Sequence, residues 1–191
     1  IPGRHNQENA VAATAIAIAC GVSPEAIACA IEALRGVPHR LELVAEVDGV
    51  KYYNDSIATT PERTVAGLRS FTEPVVLLLG GRDKKLPLGE LASEALARCR
   101  GIVLFGEAAA LLEGALGAAA NPKGVPVMRK ASLDEAVAEA ASLARAGDVV
   151  LLSPACTSYD SYDNFERRGE HFRELVALLA FHLRQGHCCQ T

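Results

Sequence analysis

An α/β fold with a mostly parallel sheet and helices on both faces follows from three observations. Wholly apolar runs recur at residues 75–79, 102–105 and 149–152. Such runs mark strands covered on both faces, as in parallel sheets. Segments of helical character separate them, which is the alternation of βαβ units. Polar residues and glycines cluster directly after several strands, where parallel sheets gather their ligands.

Residues 5–20 read as a helix from their alanine content and lack of breakers, with Asn6 a candidate N-cap. Ser23-Pro24-Glu25 opens a second helix with a cap, a proline at the first helical position and an acid at the positive dipole end. That helix stops at Gly36. Gly36-Val37-Pro38 marks a domain boundary, because the pattern turns from helical to β there. Residues 41–47 and 50–53, joined by Asp48-Gly49, carry a hairpin signal. Thr60-Pro61-Glu62 then opens a helix to about residue 71, ahead of the strand at 75–79. A helix at 88–99, a strand at 102–105, a helix at 107–116 and a strand at 125–128 follow. Ser132-Leu133-Asp134-Glu135 is a capping box for a helix ending near Gly147. The strand at 149–152 and a long helix over 164–183 close a Rossmann-like arrangement.

Composition narrows the class. Half of the 191 residues are hydrophobic, enough for a sizeable core, and the net charge of −4 does not suggest nucleic acid or an anionic membrane surface. Apolar runs such as 75–79 are far too short for a span of roughly 20 residues. The six cysteines form no C-x-x-C pair, and most are expected in apolar helical surroundings as small hydrophobes. A reducing, cytoplasmic compartment is the expectation. The five histidines show no metal-ligand spacing, and His171 and His182 read as surface residues of the last helix. The His187-Cys188-Cys189 tail is either a metal ligand set or a frayed terminus. The chain opens on Ile1-Pro2-Gly3 without an initiator Met, as a piece of a longer protein would.

Three strand ends carry the chemistry. Asn54-Asp55-Ser56-Ile57-Ala58-Thr59-Thr60-Pro61 joins a strand to a helix N-terminus, where free amides favour an anion at Thr59 and Thr60. Alternatively, both threonines only cap the helix. Gly80-Gly81-Arg82-Asp83-Lys84-Lys85 lets the backbone turn sharply and offers Lys84 as a point cation, or is a solvated basic turn. It is neither a G-K-[ST] phosphate loop nor a G-x-G-x-x-G fingerprint. After the last strand, Ser158 is placed to bond a carboxylate and Phe165 to wall a pocket. Cys156 invites a nucleophile reading but fits a structural thiol better. Asn6 and Asn9, three apart on one helix face, either read a purine edge or serve the helix start. Arg40 lies just past the boundary proline, within reach of a nucleotide phosphate.

Gly3-Arg4-His5-Asn6 with Asn9, Gly36-Val37-Pro38-His39-Arg40, Asn54-Asp55-Ser56 with Ala58-Thr59, Gly80-Gly81, and Ser153-Pro154-Ala155-Cys156 with Ser158 and Asn164-Phe165 occur in an order and spacing that resembles the Mur ligases. The likeness is greatest to the members that add D-glutamate, and it covers essentially the whole chain. It implies that residues 1–35 end a central ATPase domain, and that residues 36–191 form the C-terminal glutamate-binding domain. It also implies an ATP- and Mg²⁺-dependent ligase acting on UDP-N-acetylmuramoyl-L-alanine and D-glutamate through an acyl phosphate. Most metal ligands, the phosphate loop and a carbamylated lysine would then lie outside this chain, which alone would be inactive. By position, Asn6 and Asn9 would contact adenine, Arg40 and Asp55 the nucleotide's phosphates and ribose, and Thr59, Lys84, Ser158 and Phe165 glutamate. A monomer acting without nucleic acid or membrane partners is expected.

One residue departs from that pattern. Ile57 stands where the glutamate ligases carry lysine, which leaves the local ATP or substrate contact open, and with it D- against L-glutamate. Two other readings stay in play: a ligase of the same superfamily adding another amino acid, and a non-catalytic α/β module binding a nucleotide or acidic metabolite.

Overall fold

A computed structural model describes residues 4–33 and 36–188. Two helices, α1 (Arg4–Ala19) and α2 (Pro24–Ala33), pack on one another. α1 already includes Arg4, so Asn6 lies within its first turn rather than at its cap. α2 starts as its sequence dictates: the Ser23 hydroxyl accepts the Ala26 amide at 3.3 Å and Pro24 occupies the first helical position.

The remaining elements are β1 (Glu42–Val47), β2 (Val50–Asn54), α3 (Pro61–Leu68), β3 (Val75–Gly80), α4 (Gly89–Arg98), β4 (Cys99–Phe105), α5 (Ala109–Ala118), β5 (Val127–Arg129), α6 (Leu133–Leu143), β6 (Val149–Ala155) and α7 (Phe165–Cys188). The six strands form one sheet in the order β1-β2-β6-β3-β4-β5. Among the described residues only strand β1 runs antiparallel, paired with β2 through Asp48 and Gly49 at φ 49° and 76°. Both values are positive, as a tight two-residue hairpin needs. The pairings among the other named strands are parallel.

Strand alternation sorts the core into two layers. Val75, Leu77 and Leu79 of β3 pack with Leu68 of α3, Leu96 of α4 and Leu112 of α5. Val76 and Leu78 face the other way, onto Val137 and Ala140 of α6 and Phe172 and Val176 of α7. Helices therefore cover both faces, and each buried Leu or Val contributes about 1.5–3 kcal/mol of burial. In the capping box of α6, Ser132 Oγ accepts the Glu135 amide at 3.3 Å, while the Glu135 carboxylate accepts the amide of Ala131.

Several boundaries differ from the sequence reading. β6 continues through Ala155, so Ser153 and Pro154 belong to the strand. A proline is tolerated in this central strand because the β3–β6 ladder is irregular between Leu78 and Gly80. α6 stops at Leu143, four residues short of Gly147, and the Asp148 carboxylate accepts the Arg145 amide at 2.9 Å beyond it. The expectation that most cysteines sit in apolar helical surroundings is not met by the four whose side chains are described, of which only Cys29 lies within a helix. Cys20 and Cys29 are exposed, and the buried Cys99 and Cys156 sit at the start of β4 and just after β6. No helix among the described residues is long and apolar enough to cross a membrane.

Candidate functional site at the strand ends

The sheet order sets the carboxyl ends of β2, β6 and β3 side by side. A return crossover inserts β6 between β2 and β3, which opens the kind of crevice where parallel sheets hold ligands. After β2, the Asn54 side chain accepts the Ser56 amide at 3.1 Å and its own amide donates to Gly169 O at 3.1 Å. The Ser56 hydroxyl donates to Phe165 O at 2.8 Å, tying this loop to the start of α7. Thr60 occupies the N-cap of α3, yet its side chain makes no capping bond. Thr59 Oγ1 accepts a 3.0 Å hydrogen bond from Lys84 Nζ. The two threonines are thus not a simple hydroxyl cap.

The loop after β3 is pressed against its neighbours. A Cβ on Gly80 would lie 2.1 Å from Phe105 O, and one on Gly81 2.0 Å from Thr157 O, with φ of 157° and 120°. Only glycine admits this approach. Arg82 and Thr157 then exchange backbone hydrogen bonds of 2.9 and 3.0 Å, zipping the β3 loop to the β6 loop. This ladder brings Lys84 to the segment that carries Ser158. Ser158 is buried, and its carbonyl accepts the amides of Ser161 and Tyr162 at 3.1 and 2.8 Å. Phe165 opens α7 with its ring edge-on to His39 at 6.2 Å between centroids.

Beside these ends lies a cavity of about 310 Å³ whose polar lining is Arg40, Asp55 and Arg63, with Ile57 and Gly67. Asp55 is 4 % exposed; its carboxylate accepts the Leu41 amide at 3.2 Å and the Ser153 hydroxyl at 2.8 Å. Burial pushes its pKa up to about 7, against the pull of those bonds and of the Arg40 and Arg63 charges. Arg63 was not singled out from the sequence. Its Nη1 donates to Ile57 O at 3.3 Å, so a guanidinium stands beside the position that lacks lysine. Its signal was a cation in a first helical turn, where the dipole favours acids.

Arg168 was also missed. It is fully buried on α7, and burial holds its pKa down to about 10. A cation on the stripe shared with Phe172 and Val176 was its signature. His39 is buried with φ 61°, and its Nδ1 accepts a 3.0 Å hydrogen bond from the Asn54 NH₂; burial lowers its pKa. Because Asn54 Oδ1 already takes the Ser56 amide, its NH₂ faces His39 Nδ1. His171 is not the plain surface residue expected: its Nδ1 lies 2.7 Å from the Tyr162 hydroxyl and its Nε2 3.5 Å from Asp134. Cys156 is 1 % exposed and burial pushes its pKa up to about 12, as befits a packing thiol.

Of the sequence-predicted residues, the structure joins Thr59 to Lys84 directly and gathers Ser158 and Phe165 on the adjoining segments. Arg40 and Asp55 share the cavity. Asn9 stands exposed on α1, and the side chains of Asn6, His187, Cys188 and Cys189 lie outside the described residues. Among the described residues, no three His, Cys, Asp or Glu side chains cluster to hold a metal ion.

Comparison with known proteins converges on one family. Residues 39–156 match the model of the Mur ligase, glutamate ligase domain. The chain is 48 % identical over 178 residues to a UDP-N-acetylmuramoylalanine–D-glutamate ligase of Clostridium perfringens, covering 92 % of this chain and 39 % of that protein. It is 46 % identical over 180 residues to the enzyme of the same name from Acetivibrio thermocellus, covering 92 % and 38 %. The chain thus spans about two fifths of the length of the curated relatives it matches. In fold it superposes on a Mycobacterium tuberculosis folylpolyglutamate synthase complexed with ADP, with TM-score 0.68, 16 % identity, and 90 % of this chain and 41 % of that one covered. On this evidence the chain belongs to the Mur ligase family, as its glutamate ligase domain.

Proposed function

We propose that this chain is the C-terminal part of an ATP-dependent ligase that joins D-glutamate to UDP-N-acetylmuramoyl-L-alanine in peptidoglycan precursor synthesis in the cytoplasm. The observation that carries the reading is the Lys84–Thr59 pair at the strand ends. Its acceptor is a neutral hydroxyl, so the ammonium charge is free to meet a carboxylate. Relatives at 46–48 % identity bear the name of that ligase.

In this reading Lys84 and Thr59 hold glutamate at one end and Ser158 donates a hydroxyl at the other. Phe165 walls the pocket and keeps water from it. Orientation of the amino acid, more than bond chemistry, is then this domain's contribution to rate. The cavity of Arg40, Arg63 and Asp55 suits a phosphate chain: two guanidiniums for the phosphates and a carboxyl for a ribose hydroxyl. When bound, ATP supplies the phosphoryl group that activates the nucleotide substrate's carboxylate as an acyl phosphate. Arg63 serves there as the cation that Ile57 does not provide. Asn6 and Asn9 of α1 would read the adenine, with residues 1–35 belonging to the central domain and 36–191 forming the glutamate domain. Mg²⁺ would find its ligands mainly beyond this chain, and the enzyme would act as a monomer.

The test is an assay of the full-length protein with ATP, UDP-N-acetylmuramoyl-L-alanine and either D- or L-glutamate. Release of ADP and phosphate that requires D-glutamate is the expected result. Turnover only with L-glutamate would reassign the stereochemistry, and none with either would remove the ligase reading. This chain alone, which contains no G-K-[ST], is expected to show no ligation.

A further inference from the structure

Among the described residues Arg168 has no carboxylate as a hydrogen-bond partner. Its Nε donates to Ser56 Oγ at 3.0 Å and its Nη2 to Ser56 O at 2.9 Å. Its Nη1 lies 3.4 Å from Gly80 O, 3.2 Å from Cys156 O and 3.2 Å from Thr157 O. Every acceptor is neutral and belongs to a segment leaving the carboxyl end of a strand. Ser56 starts the segment that reaches Thr59, Gly80 the one that reaches Lys84, and Cys156-Thr157 the one that reaches Ser158. Arg168 itself lies one turn along α7 from Phe165. A single planar group therefore contacts every segment that bears a proposed glutamate residue.

Packing alone does not require a guanidinium here. Burying an unpaired cation is costly, and an apolar side chain of like volume commonly fills such a space as well or better. The nearby acid, Asp160, acts on Arg168 through its charge alone and makes no hydrogen bond with it; its Oδ2 accepts the Glu107 amide at 3.1 Å. A lysine could not reproduce the contacts either, since one ammonium with three donors cannot reach acceptors spread over three segments in a plane. Gly81 is glycine partly for the same reason, because a Cβ there would come within 3.0 Å of Arg168 Nη1.

We propose that Arg168 is a positioning residue that sets the spacing of Thr59, Lys84 and Ser158 in a site for an acidic amino acid. The inference rests on the glutamate-site reading above. Ligand groups must be held to within about 0.5 Å for productive geometry, so slack in the clamp appears first in binding of that one substrate.

The experiment is steady-state kinetics of the full-length ligase carrying Arg168→Lys and Arg168→Met, with thermal melts alongside. In the folded Lys variant the KM for D-glutamate is expected to rise about tenfold or more, while the KM values for ATP and the UDP substrate stay within about twofold. The Met variant, which keeps none of the donors, should be worse for D-glutamate. A D-glutamate KM within about twofold of the parent, or an equal rise in all three KM values, would overturn the proposal. If neither variant folds, Ser56→Ala removes the Nε acceptor and should raise the D-glutamate KM by about three- to tenfold; an unchanged KM there also overturns it. A parent enzyme that does not ligate glutamate defeats the functional reading itself, whereas a competent parent with indifferent variants defeats only the role of Arg168.

Discussion

Lys84 Nζ donates a 3.0 Å hydrogen bond to Thr59 Oγ1, joining two strand-end loops 25 residues apart in sequence. Among the described residues Lys84 forms no ion pair, so the hydroxyl orients the ammonium without neutralising it. Thr59→Val keeps the side-chain shape and removes that acceptor. In the full-length enzyme it should raise the KM for D-glutamate by about tenfold with little change in the KM for ATP, as measured by phosphate release. An unaltered D-glutamate KM would detach Thr59 from the site.

Asp55 makes stability depend on pH. Its folded-state pKa is raised from 3.8 to about 7, so the folded state holds a proton that the unfolded state releases. The stabilisation is fully present below the unfolded value of 3.8, declines as pH rises towards 7 and is lost above it. Its size is on the order of 4 kcal/mol, from roughly 1.4 kcal/mol per pKa unit. Asp55→Asn still accepts the Leu41 amide and can donate to Ser153. Urea unfolding of this chain at a series of pH values should show the parent losing stability relative to the Asn variant between about pH 4 and 7. A constant difference across that range would contradict the buried, proton-holding carboxyl.

The two buried thiols should be inert. Burial pushes Cys99 and Cys156 up to about 12, while Cys20 and Cys29 are exposed. Alkylation of this native chain at neutral pH, read by peptide mass spectrometry, should label Cys20 and Cys29 and spare Cys99 and Cys156 until denaturant is added. Fast labelling of Cys156 would restore it as a reactive group.

Gly81→Ala tests the close approach of the loops. The new methyl would sit 2.0 Å from Thr157 O at a φ of 120°. Both the clash and the backbone strain act against the native state, at a cost above about 3 kcal/mol. A melt unchanged from the parent would mean that the β3 and β6 loops are not in this contact.

The fold was legible because its strands are simple. Runs such as Val75–Gly80 are apolar throughout, and turn residues such as Asp48-Gly49 have one economical conformation. Strand ends were less legible where tertiary pairing overrode local signals, as at Pro154 within β6. Thr59, Lys84 and Ser158 could be suspected because each follows a strand. Arg63 and Arg168 could not, since their roles arise from where α3 and α7 land on the sheet. Local sequence records that a helix carries a cation on an unexpected face. What the cation meets is decided by tertiary packing, as when Arg168 reaches Ser56, 112 residues away.

Whether these strand ends hold glutamate is tested most directly by Lys84→Ala in the full-length enzyme, through the KM for D-glutamate and for ATP under otherwise identical conditions. Loss of a carboxylate's cationic partner predicts a D-glutamate KM raised by about 10- to 100-fold, with the ATP KM within about twofold of the parent. A D-glutamate KM that does not move would place the amino acid elsewhere and contradict the site described here.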